Sequence, residues 1–200
     1  MDVFGSEQYI PEIDLDSHRY VDEFAFIVSN AFHMGRSLSE ATDLSKDTKH
    51  DGEEIVTRLD KGLSEGIVES ISEYFPEYGI IAEDAETEAD EGGKNFIVDP
   101  IDGTMNYSEG LPEYCVSIAV EDDNQTRAAA VYAPEQEKMY TALEGEGAFK
   151  NSDPISVRDR EALEGVVYAK ISDRSSTVRD IEIPVVQERL LLYYFLPYHQ

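Results

Sequence analysis

The chain has 200 residues, 41% of them apolar, with 12 Tyr, 8 Phe and no Trp, which supports one sizeable core and excludes global disorder. Its 43 Asp and Glu against 16 Lys and Arg leave a formal net charge of −27, a field that repels nucleic acid and anionic membranes and argues against both as partners. Cys115 is the single cysteine, so no intramolecular disulfide forms.

The N-terminus lacks a basic region followed by an apolar run, so no signal peptide is expected. No uninterrupted apolar stretch reaches the ~20 residues that span a bilayer. The chain reads as soluble and cytoplasmic. At molar salt the screening length falls to about 3 Å, so the acid excess reads as adaptation to the cytoplasm of a high-salt organism.

The first expected helix runs from about Asp16 to Glu40, with Ser17 or Asp16 as its cap. Val21, Phe24, Ala25, Val28, Ala31 and Phe32 form its apolar stripe. His18 and His33 lie on it as surface or core residues rather than ligands. The polar segment Asp43 to Glu54 reads as a loop, and Ile55-Val56-Thr57-Arg58-Leu59 as a short strand. Asp60 then caps a second helix that carries Leu63, Ile67, Ile71, Tyr74 and Phe75 on one face. Gly62 and Gly66 weaken that helix by roughly 1 kcal/mol each relative to Ala, and Pro76 and Gly79 end it.

Tyr78 to Ala82 is expected as a buried strand ending in Glu83-Asp84, followed by an acidic surface loop from Ala85 to Gly93. Phe96-Ile97-Val98 is a strand running into Asp99. Beyond Tyr107 the pattern is mostly β, with strands at Tyr114 to Val120, Arg127 to Tyr132 and Lys138 to Leu143. A turn at Glu144 to Gly147 precedes Ala148-Phe149, and Gly165 to Ala169 suggests one more strand. Arg189 to Gln200 contains no Asp or Glu. It reads as a buried element or as the altered end of a longer chain.

Chemistry concentrates at Asp99-Pro100-Ile101-Asp102-Gly103-Thr104-Met105-Asn106-Tyr107. Pro100 keeps Asp99 out of helical geometry, so the strand stays extended to its end. If the strands ending in Glu83 and Asp99 are neighbours, both carboxylates meet at one sheet edge. Glu83, Asp99, Asp102 and the Ile101 carbonyl then offer oxygen ligands suited to Mg²⁺. Gly103 allows close approach of a phosphate to the amides of Gly103, Thr104 and Met105 if a helix opens there, and the Thr104 hydroxyl can bond a water. Two metals in such a site activate water and neutralise a leaving oxygen. The bland alternative is an ordinary Asp-Pro-x-Asp-Gly-Thr turn. Cys115, in an apolar run with no nearby base, reads as a buried inert thiol.

The Asp99–Tyr107 segment resembles the signature of the inositol monophosphatase family, whose superfamily includes fructose-1,6-bisphosphatases. Supporting matches are Lys49 with Ile55 to Asp60, Ile80 to Asp84, Pro134 with Lys138 to Ala142, and Gly145 to Asn151, over roughly residues 20 to 155. The resemblance implies a layered α/β sandwich of the sugar-phosphatase type, an α+β fold often found as a dimer. Residues 1–150 would be the N-terminal metal-binding half, and residues 151–200 the start of an incomplete second half. It implies Mg²⁺ as cofactor, with Glu83, Asp99 and the Ile101 carbonyl at a first metal and Asp99 and Asp102 at a second. Asp60 paired with Thr104 would activate the water, with Glu83 completing the catalytic set. Gly103 and Thr104 would hold the phosphate.

The implied activity is Mg²⁺-dependent hydrolysis of a small phosphate monoester, an inositol or sugar phosphate. Three departures stand out. Asp84 replaces a second Glu, and Met105 and Tyr107 replace the usual Thr or Ser and Phe. The family's C-terminal Trp-Asp-x-Ala-Ala-Gly-like motif, whose Asp completes the second metal site, has no equivalent here. Asp173 and Asp180 lack its surroundings. The competing expectation is therefore a truncated family remnant that binds metal without turnover.

Overall fold

The computed structural model describes residues 5–13, 18–45, 52–82, 85, 87–90 and 92–156. Glu83, Asp84, Lys49, the proposed caps Asp16 and Ser17, the strand at 165–169, Asp173, Asp180 and the 189–200 tail lie outside them. By compactness the first unit of the chain extends through Pro154.

Two long helices come first, α1 (Val21–Ser45) and α2 (Gly52–Tyr74). α1 starts at Val21, the first residue of the apolar stripe and later than the start expected near Asp16, and runs past Glu40 to Ser45. The Tyr20 carbonyl accepts the Phe24 amide at 2.9 Å and begins the helical ladder. The expected loop at Asp43 to Glu54 is shortened from both sides by the two helices. The expected strand at Ile55 to Leu59 is instead part of α2, so Asp60 is interior to the helix and not its cap. Ile55, Leu59, Leu63, Ile67 and Ile71 recur every four residues, one continuous helical stripe. That stripe overrides the β preference of the local Ile-Val-Thr run.

A seven-stranded sheet follows in sequential order: β1 (Gly79–Ala82), β2 (Lys94–Asp102), β3 (Cys115–Asp122), β4 (Gln125–Ala133), β5 (Lys138–Leu143), β6 (Gly147–Lys150) and β7 (Asp153–Ile155). β1 and β2 are parallel, and the pairs from β2 through β6 are antiparallel. The β3–β4 hairpin closes on Asp123 and Asn124, both with φ near +55°, the two-residue turn that matches strand twist. β7 had no sequence expectation. It is three residues long, too short for an alternating pattern to register.

One sheet face carries the core. Phe96 and Val98 of β2, Val116, Ile118 and Val120 of β3, and Ala128, Ala130 and Tyr132 of β4 join Phe24, Ile27, Val28, Ala31 and Leu38 of α1 and Ile67 and Ile71 of α2. α1 lies over β3 and β4, and α2 over β1 and β2. Gly35 permits the closest approach, because a Cβ there would stand 2.4 Å from Cδ1 of Tyr132. The start of α1 is tied down by polar contacts. Tyr20 and Arg19 donate to Oδ2 of Asp122 at 2.7 and 2.8 Å, and Tyr78 donates to buried Glu23 while accepting from Lys94 Nζ at 3.1 Å.

The β1 edge is covered by its own loop. The Ile80 amide donates to the Glu88 carbonyl at 3.0 Å and the Ala82 amide to Thr87 Oγ1 at 3.4 Å. Asn95 grips the Asp90 backbone on both sides, accepting its N–H at 2.7 Å and donating to its carbonyl at 2.9 Å. These bonds remove the free donors that make an edge strand sticky.

Candidate functional site

Asp99 and Asp102 are three apart, and in a regular strand such residues point to opposite faces. The β2–β3 register resolves the conflict. Asp99 pairs with Ser117 and Asp102 with Cys115, so three steps on β2 match two on β3. The extra residue is a β-bulge, at a position where Pro100 could not donate a ladder bond in any case. The bulge reverses the parity and puts both aspartates on the sheet face opposite the core. β1 and β2 are parallel neighbours with Ala82 opposite Val98, as the shared sheet edge required. Glu83, next in sequence, is outside the described residues.

The turn after Asp102 is built from local bonds. Asp99 Oδ1 accepts the Ile101 amide at 3.1 Å, and the Thr104 hydroxyl donates to the Ile101 carbonyl at 2.8 Å. Gly103 takes φ +90°, ψ +35° and caps the short helix α3 (Thr104–Ser108). A Cβ at Gly103 would lie 2.9 Å from the Glu113 carbonyl oxygen. Glycine therefore serves both the left-handed geometry and the close approach. The first bond of α3 runs from the Tyr107 amide to the Gly103 carbonyl, so the N–H groups of Thr104 and Met105 precede it. Thr104 is exposed, and Asp99, Asp102 and Gly103 are half-buried. The expectation that Gly-Thr opens a helix holds.

Asp60 is buried on α2, a helix that packs against β2 and α3. Cys115 was expected as a buried thiol, and it is buried. What its sequence context could not signal is its partner: Sγ lies 3.5 Å from Asp102 Oδ2. Burial, followed by the charge of Asp102 and the bond to it, pushes the thiol well above its usual pKa. It therefore stays a protonated donor and a poor nucleophile. His18 bonds the Glu144 carbonyl at 2.7 Å, and exposed His33 packs its ring against Phe32. His33 lies on α1 as expected, whereas His18, expected on the same helix, lies ahead of it.

Among the described residues, no three His, Cys, Asp or Glu side chains converge to hold a metal. The described donor set at the bulge is two carboxylates and one carbonyl, all oxygen. Its chemistry fits a hard divalent cation and does not fit zinc or copper. No helix among the described residues is long and apolar enough to cross a membrane.

Known proteins resemble this chain in sequence and fold. A Nus factor SuhB from Haemophilus influenzae is 37% identical over 133 residues, 65% of this chain and 49% of that protein. An inositol-1-monophosphatase from Rhizobium meliloti is 32% identical over 146 residues, 70% of this chain and 54% of that protein. A fructose-1,6-bisphosphatase/inositol-1-monophosphatase from Thermotoga maritima is 37% identical over 114 residues, 57% and 44% of the two chains. The chain thus spans about half the length of the curated relatives it matches. Among solved structures, the extragenic suppressor protein suhB of Bartonella henselae superposes with a TM-score of 0.60 at 33% identity, covering 70% of this chain and 56% of that one. An inositol monophosphatase from Anabaena gives a TM-score of 0.64 at 25% identity, covering 74% and 54%. The family model described as "Inositol monophosphatase family" matches residues 19–191, well past the last motif match near residue 155, and the chain belongs to that family.

Proposed function

We propose that this chain carries the metal-and-phosphate half of a Mg²⁺-dependent phosphate-monoester hydrolase acting on an inositol or sugar phosphate. The observation that carries the reading is the bulge that sets Asp99 and Asp102 on one face beside the Gly103–Thr104 turn. In this reading Asp99, Asp102, the Ile101 carbonyl and Glu83 hold Mg²⁺. Bound there, the ion would lower the pKa of water and offset charge on the phosphoryl oxygens.

The chain's own groups do the remaining work. The Gly103 and Thr104 amides orient the phosphate by hydrogen bonds at a helix start. Thr104 Oγ1, its hydrogen directed at the Ile101 carbonyl, offers lone pairs that orient a water. For Asp60 to take up the proton, the Thr104 hydroxyl would turn its hydrogen from the Ile101 carbonyl to Asp60 and accept the water's proton as it passes its own on. The products are the free alcohol and inorganic phosphate.

A second reading is favoured by the coverage of about half of each relative. In it the chain binds metal and phosphate without turnover, because a carboxylate of the second metal site is contributed by the other half. One missing electrostatic contact at such a site is worth roughly 3–4 kcal/mol of barrier. Phosphate release from inositol-1-phosphate and fructose-1,6-bisphosphate, measured on the 200-residue chain with Mg²⁺ in molar KCl, separates the readings. Release well above an Asp99→Asn control supports the hydrolase. Release equal to that control, with Mg²⁺ still bound, supports the remnant.

A further inference from the structure

The Gly103–Thr104 turn has little structure of its own, being a single left-handed glycine ahead of a five-residue helix. Isolated turns of that length are not stable, so something behind it must hold its shape. Two buried tyrosines stand there. Tyr107 of α3 and Tyr114, just before β3, meet edge to face, with ring centroids 4.8 Å apart at 77°. Each carries its hydroxyl to a separate anchor. Tyr107 donates to the Leu38 carbonyl of α1 at 3.1 Å. Tyr114 donates to Glu135 Oε1 at 2.8 Å, and the same oxygen accepts the Ser39 hydroxyl of α1 at 3.0 Å.

The turn presses directly on this pair. A Cβ at Gly103 would come within 3.3 Å of Tyr114 Cα as well as 2.9 Å of the Glu113 carbonyl oxygen. Asn106 Nδ2 donates to that same carbonyl at 2.7 Å, closing the loop between α3 and β3. The turn, the tyrosine pair, Glu135 and the last turns of α1 therefore form one continuous stack. The Tyr107 hydroxyl is a departure from the Phe usual in this motif, and it supplies the direct tie to α1.

We propose that Tyr107, Tyr114 and Glu135 are positioning residues that hold the Gly103–Thr104 backbone in its phosphate-binding geometry, Glu135 acting through Tyr114. This rests on the phosphate-binding reading above and deepens it. Ordering a loose backbone on binding costs free energy at each residue fixed. A turn already ordered by α1 does not incur that cost when phosphate arrives. Glu135 is exposed and accepts from the Tyr114 hydroxyl, which lies on the far side of that ring from the turn, so its effect on phosphate travels by position.

The test uses the full 200-residue chain with Mg²⁺ in molar KCl. Calorimetric affinity for inorganic phosphate is measured beside amide hydrogen exchange at residues 103–107 and thermal midpoints, for wild type, Tyr107→Phe, Tyr114→Phe, Glu135→Ala and Glu135→Gln. Tyr107→Phe and Tyr114→Phe keep both rings, and Glu135→Gln keeps an acceptor for Tyr114. Expected results are about 5–10-fold weaker phosphate binding, the size of one hydrogen bond, and faster exchange at 103–107 in Tyr107→Phe, Tyr114→Phe and Glu135→Ala. Glu135→Gln should stay within about twofold of wild type, and Tyr114→Phe combined with Glu135→Ala should be no worse than Tyr114→Phe alone.

If the wild-type chain binds phosphate and the variants bind it equally well with unchanged exchange, the positioning role is overturned while the phosphate reading stands. Equal losses in Glu135→Ala and Glu135→Gln also overturn it, by pointing to charge rather than contact. A wild-type chain that binds no phosphate overturns the phosphate reading and the proposal together. Should Tyr107→Phe unfold, Glu135→Ala, at an exposed side chain, carries the comparison.

Discussion

Asp102 presents one oxygen to the Cys115 thiol and shares its face with Asp99, and in the proposed site its carboxylate is a ligand of the cation. In the proposed site, removing the carboxylate leaves Asp99, Glu83 and a carbonyl, and takes away one of the three charges that hold a hard ion which readily keeps its water shell. Asp102→Ala should weaken Mg²⁺ binding by at least about tenfold in calorimetry, a loss of roughly 1.4 kcal/mol. Unchanged affinity would remove Asp102 from the metal site. A second aspartate has a purely structural role. Asp122 is buried and accepts from Tyr20 and Arg19, and the Tyr20 hydrogen bond, followed by the Arg19 charge, lowers its pKa below the ordinary 3.8 against the opposing effect of burial. Tyr20 is pushed the other way, to about 12, by burial and then by that same hydrogen bond. A carboxyl whose folded pKa is depressed adds stability above its unfolded value of about 3.9, and loses it as pH falls through the folded value. Asp122→Asn should therefore cost about 1–3 kcal/mol at pH 7, with the gap to wild type narrowing below about pH 4. A gap that stays constant down to pH 3 would show that the contact matters through shape and not charge.

The helices pose the same glycine question with opposite answers. Gly35 of α1 faces Tyr132, whose ring is also packed against Tyr9 and Phe32 at 5.7 and 5.4 Å. Gly35→Ala gains about 1 kcal/mol of helix propensity but inserts a methyl 2.4 Å from a ring with nowhere to go. Overpacking of this kind costs about 1–3 kcal/mol, so the variant should lose stability. Gly66 of α2 has nothing within 4 Å of the same added atom, so Gly66→Ala should gain about 1 kcal/mol. Urea midpoints moving in the same direction for both would contradict the packing of α1 on β4. The sequence carried the strands well, since β2 to β6 alternate or end on turn residues that an isolated chain already displays. It misassigned Ile55 to Leu59 because a β-branched triplet outweighed a four-residue spacing visible only over the whole stretch from Ile55 to Ile71. At the candidate site, the turn that carries Asp99, Asp102, Gly103 and Thr104 was legible from spacing and chemistry, while the roles given to these residues belong to the proposed reading. The bulge that aligns the two aspartates, the Cys115 contact and the Tyr114–Glu135–Ser39 tie were not. Each depends on which residue of a distant strand or helix comes to lie opposite, and nothing local encodes that.

Charge acts on the molecule as a whole. If every Lys and Arg paired with one acid, 27 carboxylates would still have no cation. Among the described residues, Arg19, Arg36, Lys61 and Arg127 are already engaged in ion pairs, so self-repulsion is built into the fold. Screening shortens its reach from about 10 Å at 0.1 M salt to about 3 Å at 1 M, and stability should rise steeply over that range. The end of α2 concentrates the problem. Glu65, Glu69 and Glu73 follow one another at four-residue spacing, and no basic residue lies in the last turn. Like charges at that spacing repel, and the negative end of the helix dipole adds to the cost. Glu73→Lys replaces a repulsion with an i,i+4 attraction to Glu69 and complements the dipole. Its melting temperature should exceed wild type by roughly 1–3 °C in 50 mM KCl, in line with a sub-kilocalorie surface gain in a chain of this size, and the difference should vanish in 2 M KCl as wild type catches up. An advantage that persists undiminished at 2 M would assign the gain to local helix packing. A wild-type melting temperature that does not move between 50 mM and 2 M KCl would mean that self-repulsion is not what limits this fold, and that the acid excess is no adaptation to salt.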